Sequence, residues 1–129
     1  MKVRRFFRPS AECVKPWDSL REAAKRMRSG GFSCLPVLVS GEVVGIVTER
    51  DLVEAVANTD RTSEAHVVDY MSEGPVTVSL DDDSSVAATR MLAIGCRHLP
   101  VMESEKLVGM VSAQDLLLAR TEAEGVGAR

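Results

Sequence analysis

The sequence superimposes on itself. Shifted by 64 residues, without a gap, it matches at 18 of the 53 positions from Val3/Val67 to Ala55/Ala119. Chance pairing in a chain of this composition gives roughly a fifth of that number or less. Met27 falls on Met91, Gly31 on Gly95, Leu35-Pro36-Val37 on Leu99-Pro100-Val101, Gly45 on Gly109, and Asp51-Leu52 on Asp115-Leu116. Two copies are too few for a solenoid, which needs three or more. The duplication therefore predicts a closed pair of like halves related by a pseudo-twofold axis.

Each copy reads alike. Leu20, Ala23, Ala24 and Met27 recur at helical spacing, as do Ser84, Ala87, Ala88 and Met91. Asp18-Ser19 and Asp81-Asp82-Asp83 stand where N-caps and first-turn acids are favoured, and Gly30-Gly31 and Gly95 stop the helices. A hairpin follows: Leu35–Val39, a turn at Ser40-Gly41 and Val43–Thr48 in the first copy, Leu99–Met102, a turn at Ser104-Glu105 and Leu107–Ser112 in the second. Closing helices span Glu49–Ala57 and Ala113–Arg120. With a short leading strand near Cys13-Val14 or Val76–Val78, each copy is β-α-β-β-α, an α+β fold. The expected divisions are residues 1–57 for the first repeat, 58–66 for a polar linker, 67–120 for the second repeat and 121–129 for a flexible tail.

Composition narrows the function. Hydrophobic residues are 45% and charged residues 27% of 129, which excludes a disordered tail or a fibre. The longest uncharged stretch, Ser29–Gly41, has 13 residues broken by three Gly and one Pro, too short to span a bilayer. The basic start runs into Pro9-Ser10-Ala11-Glu12 without an apolar segment, so no signal peptide is expected. Three cysteines, an odd number without CxxC spacing, fit free thiols in a cytoplasmic protein, and Cys34 and Cys96 are expected to be buried. His66 and His98 make no metal-ligand pattern. Met27, Met91, Met102 and Met110 read as inward-facing core residues, and Trp17 as a hydrophobic staple or interface residue. Residues 1–57 carry ten Lys/Arg against seven Asp/Glu, or +3, and residues 58–129 six against twelve, or −6. Lys2, Arg4, Arg5 and Arg8 alternate with Phe6 and Phe7, but four cations on an acidic chain make a poor nucleic-acid footprint.

The chemistry concentrates where the hairpin meets the closing helix: Thr48-Glu49-Arg50-Asp51 and Ser112-Ala113-Gln114-Asp115. One reading is a capping box, in which the hydroxyl and the acid three residues on bond each other's amides. The other is a ligand site. A helix start at a sheet edge offers amides and a positive dipole end to an anion, a hydroxyl donates to phosphate, and a carboxylate accepts from the two hydroxyls of a ribose. Gly45 and Gly109 admit close backbone approach or simply pack.

The duplicated pattern, Leu-Pro-Val, hairpin, then Val-Gly-Ile-Val-Thr-Glu-Arg-Asp-Leu, resembles a pair of cystathionine-beta-synthase (CBS) domains, the tandem called a Bateman module. The likeness covers about residues 3–120, including Val67-Val68-Asp69-Tyr70-Met71 and Gly74-Pro75-Val76-Thr77-Val78. It implies a regulatory module that binds AMP, ADP, ATP or S-adenosylmethionine in a cleft between the repeats. It implies no required cofactor and no catalysis. The family's ribose-binding acid falls on Asp51 and Asp115, its hydroxyl on Thr48 and Ser112. Arg97 and His98 are similar to basic residues that meet phosphates in family members, where the first copy has Ser33 and Cys34. Thr77 is replaced by Cys13, and Arg50 becomes Gln114. These departures predict one competent site and one weak site. The resemblance also implies a disk-like homodimer acting on a separate regulated protein. The rival expectation is a homodimeric interaction scaffold with no ligand.

Overall fold

The structure, a computed structural model, describes residues 1–9, 12–74 and 76–123. Helix α1 (Leu20–Gly30) buries Leu20, Ala23 and Met27. Ser19 caps it by accepting from the Glu22 amide at 3.0 Å, and Gly31 ends it at φ 70°, the left-handed conformation that favours glycine. Strands β1 (Cys34–Val39) and β2 (Glu42–Thr48) form an antiparallel hairpin. Ser40 and Gly41 turn it with φ of 51° and 81°, the two positive angles that match the twist of the strands. Helix α2 (Glu49–Asn58) follows β2 directly, then a short helix α3 (Val67–Tyr70) and the two-residue strand β3 (Ser72–Glu73). The second copy supplies β4 (Val78–Ser79), α4 (Ser84–Ile94), β5 (His98–Glu103), β6 (Lys106–Ser112) and α5 (Ala113–Ala123). Two three-stranded sheets result, ordered β1-β2-β3 and β4-β5-β6.

The leading strand differs between copies. In the second it is β4, parallel to β5, and the Leu80 amide prolongs the ladder by donating to the Met102 carbonyl at 3.2 Å. In the first copy it shrinks to one parallel bridge, Val14 to Val37. Position 16, the counterpart of Leu80, is a proline and has no N–H to donate.

Compactness divides the chain differently from the duplication. A middle unit holds Glu12–Val76, and a terminal unit holds Met1–Ala11 with Thr77–Arg129. Each lead-in arm thus belongs to the unit built around the other copy. In the terminal unit Val3 donates to Asp82 and Arg4 to Leu80, both at 2.9 Å. In the middle unit Val67 donates to Asp18 at 2.9 Å and Val68 to Pro16 at 2.8 Å. Val3 and Val67 are both fully buried. Part of the expected linker is engaged as well, since the Ala65 carbonyl accepts from the Leu20 amide at 2.9 Å. Helix α5 runs through Ala123, and residues 124–129 of the expected tail lie outside the described residues.

The exchange of arms redraws the charge. The terminal unit has nine Lys/Arg against eight Asp/Glu, or +1, and the middle unit seven against eleven, or −4. The +3/−6 division between sequence halves is therefore not the division between compact bodies. The basic arm lies against acids of its own unit: Arg4 pairs with Asp81 at 3.0 Å and with Glu103 at 3.8 Å, and Lys2 with Asp81 at 3.8 Å.

Met27, Met91 and Met110 are buried as expected, whereas Met102 is half-exposed near the end of its strand. Cys34 and Cys96 are buried. Trp17 is 62% exposed, so it staples no helix start. Among the described residues no helix is long and apolar enough to cross a membrane.

The strand glycines explain themselves here. Arg8 exchanges two backbone bonds with Met110, at 2.7 and 2.9 Å, and a side chain at Gly109 would overlap the Arg8 carbonyl and the Phe7 ring. A Cβ at Gly45 would stand 2.8 Å from the Ser72 carbonyl. The close approach belongs to the chain's own arm. Gly109→Ala is expected to cost about 1–3 kcal/mol, the usual penalty of overpacking, and to lower the thermal midpoint by several degrees. Hydrogen exchange should report faster exchange of the Met110 amide, and a midpoint equal to wild type would refute the close packing.

Candidate functional site

Because β2 passes straight into α2 and β6 into α5, a side chain at the junction must satisfy the first helical amides. Thr48 Oγ1 accepts from the Asp51 amide at 3.2 Å, and Asp51 Oδ2 accepts from the Thr48 amide at 2.8 Å. Ser112 and Asp115 repeat this at 3.0 and 2.9 Å. The capping box is therefore present in both copies. It leaves chemistry over. Each hydroxyl receives a hydrogen bond and keeps its own O–H to donate. Each aspartate uses Oδ2, and Oδ1 has no partner among the described residues. All four side chains are half-buried, so a donor and an acceptor remain reachable at each junction.

The remaining expected residues sort by unit. In the terminal unit, His98 opens β5 opposite Ser112 at the end of β6. Thr77 directly precedes β4, which runs parallel to β5, so it lies at the same end of the sheet. The Arg97 carbonyl accepts from the Ala113 amide at 2.8 Å, tying Arg97 to the first residue of α5. Thr77, Arg97, His98, Ser112 and Asp115 thus gather at one sheet end, Arg97 exposed and the others half-buried. The middle unit offers Thr48, Arg50 and Asp51 with Cys13, Ser33 and Cys34 in the equivalent places, and the Ser33 carbonyl accepts from the Glu49 amide at 3.0 Å. Arg50 is exposed on the first turn of α2. The two junctions share a backbone and differ in side chains. Among the described residues no cluster of His, Cys, Asp or Glu could hold a metal ion.

One pair of residues escaped the sequence reading. Arg26 donates to the Cys13 carbonyl at 2.6 Å, and Arg90 donates to the Thr77 carbonyl. Each arginine ties the residue leading into the first strand to the helix that follows it. The signal was present, because Arg26 and Arg90 are identical under the 64-residue shift. Arginine on an amphipathic helix otherwise reads as a solvated face.

The CBS-domain family model matches residues 3–58 and 67–122. The chain belongs to the CBS-domain family. A curated relative, an uncharacterized 17.7 kDa protein of Acidianus ambivalens, is 40% identical over 120 residues, spanning 92% of this chain and 72% of that one. A CBS-domain containing protein of Agrobacterium tumefaciens has a similar structure, with TM-score 0.83 and 29% identity over 93% of this chain and 99% of that one. The structure of CBSX2 in complex with AMP aligns with TM-score 0.78 and 25% identity, covering 95% and 98%. In this CBS pair the expected α+β repeats are present, each unit holding a three-stranded sheet with helices.

Burial raises the Asp51 pKa above the ordinary 3.8, against the hydrogen bonds from Thr48 that pull it down. The folded chain then keeps a proton at pH values where the unfolded chain has released it, so Asp51 weakens folding as pH rises through its raised pKa. Asp51→Asn keeps an acceptor for the cap and removes the titration. Urea unfolding from about pH 4 to 7 should show wild type losing stability relative to Asp51→Asn as pH rises just above the ordinary carboxylate range. A difference independent of pH would contradict the shift.

Proposed function

We propose that this CBS pair is a non-catalytic regulatory module that binds an adenosyl ligand, AMP first among the candidates, and signals to a separate protein as a homodimer. The observation that carries the reading is the capping box with a hydroxyl donor and the Asp115 Oδ1 acceptor left over, beside Arg97 and His98. A ribose presents paired hydroxyls that match a carboxylate oxygen, and a phosphate matches a hydroxyl donor, a cation and the helix start. The AMP complex of the similar CBSX2 supports the ligand class. ADP, ATP and S-adenosylmethionine present the same adenosyl group and are the competitors to test. The terminal unit is assigned the working site, since the middle unit has Ser33 and Cys34 where Arg97 and His98 stand.

Thermal unfolding tests the proposal. AMP at a hundredfold its dissociation constant should add about 2.7 kcal/mol and raise the midpoint by several degrees. Asp115→Ala should abolish the response at a capping cost of about 1 kcal/mol, while Asp51→Ala pays the same cost and keeps the response. A protein that responds to none of the four ligands would instead be an interaction scaffold, and equal loss in both variants would mean two equivalent sites.

A further inference from the structure

Of the five residues gathered at one end of the terminal unit's sheet, four are held by the elements that carry them. Arg97 is tied to Ala113, His98 is paired opposite Ser112, and Ser112 and Asp115 close the capping box. Thr77 is held by none of these. The chain enters the terminal unit at this residue, and the ladder between β4 and β5 begins one residue later, at Val78 opposite Val101. What holds Thr77 is Arg90 of α4, 13 residues on, whose Nη1 donates to the Thr77 carbonyl. The guanidinium is steadied in turn. Nη1 stands 3.6 Å from Asp82 Oδ2, the same oxygen that accepts from the Ser79 amide at 2.8 Å. A bond from a charged donor is about twice as strong as one between neutral groups, and this one is anchored on a helix. The Thr77 side chain is half-buried, and its hydroxyl has no partner among the described residues.

We infer that Arg90 is a positioning residue for ligand binding: by holding the Thr77 carbonyl it sets the Thr77 hydroxyl as a hydrogen-bonding group of the adenosyl site. The inference rests on the site proposed above. A group fixed before the ligand arrives spares the ordering cost that a loose one would incur on binding. The first copy supplies the contrast. Arg26 makes the same bond, to the Cys13 carbonyl at 2.6 Å, but it leans on Glu22 of its own helix at 3.2 Å. The counterpart of Glu22 is Val86, which offers no charge, and Arg90 engages Asp82 ahead of the helix instead. The Arg26 tether ends on a thiol, a weak hydrogen-bonding group, with Ser33 and Cys34 where Arg97 and His98 stand. Both arginines brace a lead-in residue. Only Arg90 thereby places a hydroxyl beside a basic pair.

Titration calorimetry of the full chain with AMP tests the assignment. Thr77→Val, which removes the hydroxyl and keeps the shape, should weaken binding about tenfold, as the loss of one hydrogen bond does. Arg90→Ala should weaken it about fivefold. The double variant should bind no worse than Thr77→Val alone, because Arg90 acts through a group already removed. Arg26→Ala, the equivalent brace, should leave AMP binding unchanged. Thermal midpoints near wild type without ligand, expected for arginines at the surface, exclude unfolding as the cause. Unchanged binding in Thr77→Val or Arg90→Ala, losses that add in the double variant, or equal loss from Arg26→Ala overturns the inference and leaves the adenosyl reading standing. A wild type that binds none of AMP, ADP, ATP and S-adenosylmethionine overturns both.

Discussion

The structure depends on the docking of each lead-in arm into the unit formed by the other copy. Val3 and Val67 are fully buried by this exchange, and their backbone bonds to Asp82 and Asp18 hold the turns ahead of α4 and α1. Those turns supply Asp83 and Ser19, the caps of the same helices. The arms also reach the sheets, Arg8 at Met110 and Ser72 at Ile46, one residue beyond the glycines that make room for them. Burial, capping and sheet completion thus converge on two short segments. A change at Gly109 or Gly45 is felt through all three.

The capping box is where the structural role and the proposed binding role fall on the same atoms. A fully satisfied cap is often taken as the end of a residue's work. Here the geometry of a serine or threonine and an aspartate leaves one donor and one acceptor after both amides are served. From sequence, a structural reading and a ligand reading of Thr48, Asp51, Ser112 and Asp115 are alternatives; the observed bonds make them compatible. What separates the two junctions is the company they keep, Arg97 and His98 at one and Ser33 and Cys34 at the other.

The elements were legible because duplication lets each copy check the other. Helix starts, glycine stops and both hairpin turns follow from local chemistry that the 64-residue shift repeats. The ownership of the arms was not legible. Nothing in Val3–Phe7 says which sheet it joins, since its surroundings are equivalent in both copies and only tertiary packing decides. For the same reason the charge of each body could not be read from sequence halves. The lost leading strand was readable in principle from Pro16, whose missing N–H acts on a single bond. At the site, the residue types were visible but their grouping was not, because it required knowing which strand ends lie together. The anchoring of Cys13 and Thr77 by Arg26 and Arg90 depends on a reach of 13 residues that periodicity does not encode.

The exchanged arms also set an order of events on the ribosome. Every residue of the middle unit is available once residue 76 has emerged, so that body can close early. The terminal unit combines Met1–Ala11, made before that body, with residues from Thr77 onward, made after it. Its arm, with Val3, Phe6 and Phe7, must wait in the open while the whole middle body is synthesised and folded. A segment translated ahead of the middle body finds its place only after that body, and its cations help keep the waiting segment soluble.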